Sequence, residues 1–170
     1  MENTSKITSR VFPLAALIIV LVADQYSKSL ISSLLYIGES VPEHGFFRIT
    51  YVTNTGSAFG MFVDHTSVLI FASMIGILIL VVFYWSQPFG GRILHVSIGL
   101  QLGGATGNLV DRVRLGYVVD FIDVGLWPVF NLADSAIVIG LVGLVWSMLF
   151  LNKRTESDED FAELDYPPDV

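Results

Sequence analysis

Four times in 170 residues this chain runs for about twenty positions with almost no charge, and that constrains its fold more than any other feature. A run of that length spans a hydrocarbon core of about 30 Å as a helix. In lipid, every backbone N–H and C=O must find its partner inside the protein, so helix is the form such a run takes. The runs cover residues 11–35, 67–86, 93–110 and 132–151. Hydrophobic residues make up 53% of the chain and charged ones only 15%, too apolar for one aqueous core at this length. The formal net charge of −7 misleads, because Glu156, Asp158, Glu159, Asp160, Glu163, Asp165 and Asp169 all fall in the last stretch and the rest is nearly neutral. The nine Lys and Arg are scattered and form no patch, which argues against a nucleic-acid partner. There is no cysteine, hence no disulfide frame, no thiol nucleophile and no thiolate metal site.

The first run follows Lys6 and Arg10 and has Pro13 where a first helical turn tolerates it. It is no cleaved leader, because no small-x-small site follows and it continues through Asp24 and Lys28. These two are spaced i,i+4 with the acid first, the favourable order on a helix face. Two readings stand: an ion pair near the interface with Lys28 snorkelling outward, or a part in holding a functional site. Residues 36–66 leave the membrane. Phe46 to Thr53, rich in aromatic and β-branched residues, reads as a strand at the membrane surface, and it ends in a turn from Asn54 to Gly60. The second run is lipid-facing, with Tyr84 and Trp85 as interface anchors, and a tight hairpin loop spans 87–92.

The third run is the least apolar. Gly99, Gly103 and Gly107 recur every four residues, the pattern that lets helices approach closely in lipid. Gln101, Gly104, Asn108, Asp111 and Arg112 share one broad helical face, which must look at protein or water. For Gln101 and the Asp111–Arg112 pair, a structural hydrogen-bond cluster is enough. The alternation from Tyr117 to Ile122 suggests a second strand, able to pair with the one before Asn54, and it carries Asp120. Asn131 suits the N-cap of the fourth run, whose first turn holds Asp134.

Asp120 and Asp134 thus arrive from either side of one loop at the edge of a hydrophobic layer, where carboxylates are costly. Alone, Asp134 complements a helix dipole and Asp120 decorates a strand. Together they are a candidate acid–base pair. Two carboxylates in a low-dielectric site do not both ionise easily, so one keeps a proton for a carbonyl oxygen while the other activates water. That is peptide hydrolysis without a covalent intermediate. His44, His65 and His95 sit beside no nucleophile, Ser135 has no base, and the acids lack the His partners of a metal site. The pattern therefore calls for no metal and no cofactor.

The residues carry a resemblance in four ordered blocks between positions 15 and 150. These are Asp24-Gln25-x-x-Lys28; Asn54-x-Gly56-x-Ala58-Phe59; Gly103-Gly104-Ala105-x-Gly107-Asn108-x-x-Asp111-Arg112 with Val119-Asp120-Phe121; and Phe130-Asn131-x-Ala133-Asp134-Ser135. The chain resembles lipoprotein signal peptidase, the bacterial membrane aspartic peptidase also called signal peptidase II. The resemblance implies a catalytic dyad of Asp120 and Asp134. It implies that Asn54, Gly56, Ala58, Gly104, Asn108, Arg112, Asn131 and Ala133 shape the site, supported by Asp24, Lys28 and Asp111. It also implies a substrate, a prolipoprotein whose lipobox cysteine already carries diacylglycerol and is cut on its N-terminal side, and inhibition by cyclic peptides of the globomycin type. Gly56, Ala58 and Gly104 would leave room for a small substrate pocket.

The expected fold is α-helical and membrane-embedded, with four transmembrane helices; the resemblance implies that the two excursions form a small extracytoplasmic β-cradle and a surface helix. Residues 1–154 form one domain, and 155–170 an acidic, disordered cytoplasmic tail for which the family pattern offers no role. Four spans put both termini on one side, with Lys6, Arg10, Arg92, Lys153 and Arg154. Under the positive-inside rule that side is cytoplasmic, and the acids face the extracytoplasmic surface of the bacterial cytoplasmic (inner) membrane, in contact with its lipids. The rival readings are a proton-coupled carrier using the Asp pair as a relay and a scaffold whose pair closes a hairpin. A carrier would show inverted repeats or interrupted helices, and four unlike runs show neither. An intramembrane protease of the GxGD type lacks its motif here.

Overall fold

A computed structural model describes the backbone of residues 2–56, 66–87 and 91–151, with side chains from residue 11 to 150 in those ranges. The elements are α1 (Glu2–Leu34), β1 (Ser40–Val41), β2 (Arg48–Asn54), α2 (Thr66–Ser86), α3 (Arg92–Leu115), β3 (Val118–Asp123) and α4 (Leu132–Trp146), which runs on into a π-helical turn, Ser147–Leu151. Among the described residues, three helices are long and apolar enough to cross a membrane: α1 over Val11–Leu34, α2, and α4 with its extension to Phe150. The acidic tail, Ala58, and the side chains of Lys6, Arg10, Lys153 and Arg154 lie outside the described residues. So does the tip of the α2–α3 loop.

The polar helix sits in the middle. Helix α3 packs against α1, α4 and α2, and its buried residues run from Leu94 to Asp111. Glycine is what allows this. A Cβ on Gly99 would strike the backbone of Pro13, and one on Gly103 would lie 2.8 Å from the Leu17 carbonyl and 2.9 Å from Val20 Cβ. Without those methyls α1 and α3 meet backbone to backbone, where dispersion rather than hydrophobic burial holds lipid-embedded helices together. Arg92 Cζ stacks 5.6 Å from the Phe12 ring centroid at one end of this seam. Helix α2 buries none of its residues, as its uniform apolarity demands. Beside it, His95 Nε2 donates to the Gln87 carbonyl at 3.2 Å and its ring meets the Tyr84 ring edge-on.

Two local expectations change. Helix α1 starts at Glu2, so Pro13 lies in its interior and not in its first turn. The polar residues before it continue the helix because they need no burial to do so. No separate surface helix stands among the described residues of either excursion.

The strands fall where the alternation placed them. Strand β2 pairs antiparallel with β3, with Val52 opposite Asp120 and Asn54 opposite Val118, and a bulge lies between Ile49 and Val52. The two-residue β1 adds to the outer edge of β2. Arg48 and Thr50 staple the far end through Asp123, whose Oδ2 accepts from Arg48 Nη2 at 2.7 Å and from Thr50 Oγ1 at 2.9 Å. Helix α3 stops at Gly116, whose φ of +83° is a left-handed cap that favours glycine; its N–H returns to the Arg112 carbonyl. The chain then enters β3 immediately, which fixes where Asp120 points.

Candidate active site

Asn131 is the hinge between the two acids. Its backbone is extended and its side chain caps α4, accepting from the Asp134 N–H at 2.9 Å, while Asp134 Oδ2 accepts from the Asn131 N–H at 3.3 Å. This is a reciprocal capping box with aspartate in the third helical position. The other end of the same amide donates to Asp120 Oδ1 at 2.6 Å and lies 3.3 Å from the Val119 carbonyl. Phe130 pairs with Ile122 and holds the loop against β3, so Asn131 is completely buried where it must act. One residue therefore grips both carboxylates, one by its side chain and one by its backbone.

The remaining oxygens are also held. Asn54, at the end of β2, donates to Asp120 Oδ2 at 2.8 Å, and its own Oδ1 accepts from the Gly56 N–H at 2.7 Å. Asn108, about two turns from the end of α3, donates to Asp134 Oδ1 at 2.7 Å. Three amides thus aim donors at two carboxylates, and each is oriented by a fixed partner on its other side. Asp120 is 1% exposed and its carboxyl is pushed up to about 6. Burial is the main cause. The Asn54 hydrogen bond opposes it, the Asp134 charge adds to it, and Asn131 and Lys28 pull it back. Asp123, at the sheet's far end, is held below the usual carboxylate range by the Gly125 N–H, Thr50 and Arg48.

Behind the acids lies a second charged cluster. The Lys28 ammonium meets Asp24 Oδ2 at 2.8 Å, Asp111 Oδ2 at 2.9 Å and Asn108 Oδ1 at 2.9 Å, so all three of its protons are used. All four side chains are buried. Lys28 does not snorkel; its ammonium turns inward onto Asp24 and Asp111. With its oxygen on a cation, Asn108 must present its NH₂ to Asp134. Asp24 Oδ1 accepts from the Ala133 N–H at 3.0 Å, and Asp111 Oδ2 from the Val119 N–H at 3.2 Å. The cluster thereby clamps the first turn of α4 and the residue before Asp120 onto α1 and α3. Gln25 completes it, donating to Asp111 Oδ1 at 2.9 Å and to the Gly107 carbonyl at 3.2 Å. Its part was unassigned from sequence, where the available signal was an amide beside Asp24 inside an apolar run.

Arg112 is half-buried and interacts electrostatically with Asp134 and Asp120. Its Nη1 reaches the Asn108 carbonyl at only 3.5 Å, and its buried Nε has no hydrogen-bond partner among the described residues. Two small residues act differently from the pocket role expected of them. A Cβ on Gly104 would run into the Ala133 carbonyl and lie 2.9 Å from Ile137 Cγ1, and one on Gly56, where φ is +81°, would strike Leu69. The space of their missing methyls is filled by α4 and α2, so among the described residues these glycines set helix and loop approach. Among the described residues, no three His, Asp or Glu side chains form a group able to hold a metal ion.

A sequence model of the family described as "Signal peptidase (SPase) II" matches residues 16–150 of this chain. The chain belongs to the signal peptidase II family. It is similar to the lipoprotein signal peptidase of Moorella thermoacetica, 46% identical over 133 residues that cover 78% of this chain and 89% of the relative. A lipoprotein signal peptidase of Dehalococcoides mccartyi is 46% identical over 129 residues, covering 74% and 81%. Two solved structures described as bacterial membrane enzymes share the fold. One has TM-score 0.75 and 31% identity, covering 81% of this chain and 92% of its own. The other has TM-score 0.73 and 30% identity, covering 93% of each. Signal peptidase II membership makes this chain a membrane protease, and the matched span takes in both carboxylates and every residue that holds them.

Proposed function

We propose that this chain removes the signal peptide of diacylglyceryl-modified prolipoproteins, with Asp120 and Asp134 as the catalytic pair acting on one scissile amide. The observation that carries the reading is Asn131, which donates to one oxygen of each acid, by its side chain to Asp120 and by its backbone to Asp134. In this scheme the pair holds one proton. The ionised member takes a proton from water as it attacks the carbonyl carbon, and the protonated member donates to the carbonyl oxygen. The roles reverse when the leaving amine is protonated. Asn54, Asn108 and Asn131 hold the carboxylates in position throughout. Arg112, with an N–H unspent, is placed to meet the substrate backbone or the negative charge that builds on its oxygen.

The placement of the pair suits such a substrate. Asp120 and Asp134 lie where α3 ends and α4 begins, the level at which the helices leave the lipid. A signal helix with a lipid tail is already in the bilayer plane and delivers its cleavage site there. Each buried CH₂ of the acyl chains contributes about 0.8 kcal/mol, so little side-chain recognition is needed. In this reading α3 is a fourth span, shielded from lipid by its neighbours. The three-stranded sheet is the extracytoplasmic cradle, both termini are cytoplasmic, and a cyclic peptide of the globomycin type competes for the site. The carrier alternative has no support, since the relatives named above are peptidases. The test is a purified chain in vesicles given a diacylglyceryl prolipopeptide and its unlipidated twin. Cleavage on the N-terminal side of cysteine in the first and at least 100-fold slower cleavage of the second is expected. Equal rates on both would defeat the assignment.

A further inference from the structure

A cavity of about 160 Å³ opens between α1 and α3 on the side of the charged cluster away from the catalytic pair. Gln25, Lys28, Ser29 and Ser32 line it from α1, Asp111, Arg114 and Leu115 from α3, and Val119 from β3. On the same measure a single water needs about 10–15 Å³, so the space admits a group the size of a phosphodiester. Its wall has two cations and one acid. That acid is spent: Asp111 accepts from Gln25 on one oxygen and from Lys28 and Val119 on the other. Lys28 is spent too. Arg114 is not, having no hydrogen bond, ion pair or ring contact among the described residues, whereas Arg48 pairs with Asp123 and Arg92 stacks on Phe12. The Ser29 hydroxyl is likewise without a partner among the described residues, and Ser32 Oγ, a donor to the Lys28 carbonyl, keeps its lone pairs.

The α1 surface leading to the cavity changes character along one face. Leu14, Ile18 and Val22 are exposed, and at the same helical spacing they continue into Gln25, Ser29 and Ser32. An acyl chain fits the first half of that face and a polar headgroup the second. The change falls near the ends of α1 and α3, at Leu34 and Leu115, where headgroups lie.

We propose that this cleft is a binding site for one anionic phospholipid, its headgroup phosphate on Arg114 and Ser29 and one acyl chain along Leu14, Ile18 and Val22. The site is separate from the peptide-cleaving one and holds whatever the substrate proves to be. It needs only that α1 and α3 leave the bilayer near these residues. Its bound lipid would brace α1 against α3 beside the Lys28–Asp111 pair.

Native mass spectrometry of the whole chain in detergent, titrated with phosphatidylglycerol, phosphatidylcholine or inorganic phosphate, tests it. The wild type is expected to retain one phosphatidylglycerol at least tenfold more tightly than phosphatidylcholine. Arg114→Gln should lose that preference, Ser29→Leu, which fills the cleft, should weaken binding at least fivefold, and Arg114→Lys should keep most of it. Prolipopeptide cleavage in detergent reports that the variants are folded. Undiminished phosphatidylglycerol binding in both Arg114→Gln and Ser29→Leu overturns the site. Equal retention of the two lipids overturns its anionic character, and saturation by inorganic phosphate alone overturns the lipid as its occupant.

Discussion

Replacing Lys28 by methionine keeps the length of the side chain and removes the charge at the centre of the cluster behind the dyad. Asp24, Asp111 and Lys28 are 0%, 3% and 3% exposed, and the ammonium is 2.8–2.9 Å from both acids. Breaking a buried pair by deleting one partner costs about 3–5 kcal/mol, because the other charge is left uncompensated. Here two acids are stranded, so the upper end applies, against a total stability of about 5–15 kcal/mol for a domain. A second effect reaches the chemistry. Without the cation, the Asn108 Oδ1 keeps only the Asn131 Nδ2 donor at 3.2 Å, and the Asn108 hydrogen bond to Asp134 is held less firmly. The Lys28 charge also helps hold the Asp120 carboxyl down, so its removal moves that carboxyl further above about 6. Thermal unfolding in detergent and the pH dependence of prolipopeptide cleavage read the two effects separately. Lys28→Met should unfold many degrees lower, and whatever folds should show its alkaline limb displaced upward. Lys28→Arg should restore both in part. A Lys28→Met protein as stable as the wild type, with an unmoved pH profile, would refute the reasoning.

Four more outcomes are expected. In kcat/KM, which reports the free enzyme, cleavage should decline as pH rises through about 6, where the pair loses its last proton, while the limb in kcat should lie higher because bound substrate excludes water; a profile flat across pH 4–8, a range of about two units either side of that value, contradicts it. The same shift has a stability consequence. Asp120 rises from 3.8 to about 6 on folding, so its contribution is fully present below pH 3.8 and is lost as pH climbs through 6, about 3 kcal/mol in all. Asp123 has the opposite sign, stabilising at higher pH and losing that as acid protonates it. Denaturant unfolding at both pH extremes should find the alkaline loss smaller in Asp120→Asn. Asn131→Ala removes a cap worth about 1 kcal/mol and strands a buried Asp120 acceptor at about 1–3 kcal/mol. Because it also frees the two acids from each other, cleavage should fall about 100-fold or more, as misplacement by about 1 Å does; near-normal kcat in this variant would show that Asn131 is only a cap. Cleavage should survive EDTA, and loss restored by zinc would reveal a metal-dependent reaction.

What could be read from sequence was what depends on neighbours along the chain. The i,i+4 spacing of Asp24 and Lys28, the Asn131 cap, the Gly99–Gly103–Gly107 seam and the two pairing strands are all periodic or local features, and all appear in the fold. Long-range partners were hidden. The spacing that joins Lys28 to Asp24 says nothing of Asp111 or of Asn108, 80 residues away, and so left two readings of Lys28 open. Gln25 acts through Asp111, at a separation of 86. The glycines carry no side chain whose chemistry could tell an open pocket from close packing; only the position of α4 opposite Gly104 and of Leu69 opposite Gly56 decides it. The two residues of β1 were too few to show a pattern, and the start of α1 lay in polar sequence that gave no boundary.

The claim that two acids work as one device is tested most directly by steady-state cleavage in Asp120→Asn, Asp134→Asn and the double variant, each checked for folding and membrane insertion. Groups that act as a unit are strongly non-additive. Each single variant is therefore expected to fall to the same floor as the double. A single variant that keeps a tenth or more of wild-type kcat, or losses that simply multiply, would mean that these carboxylates do not share one peptide bond.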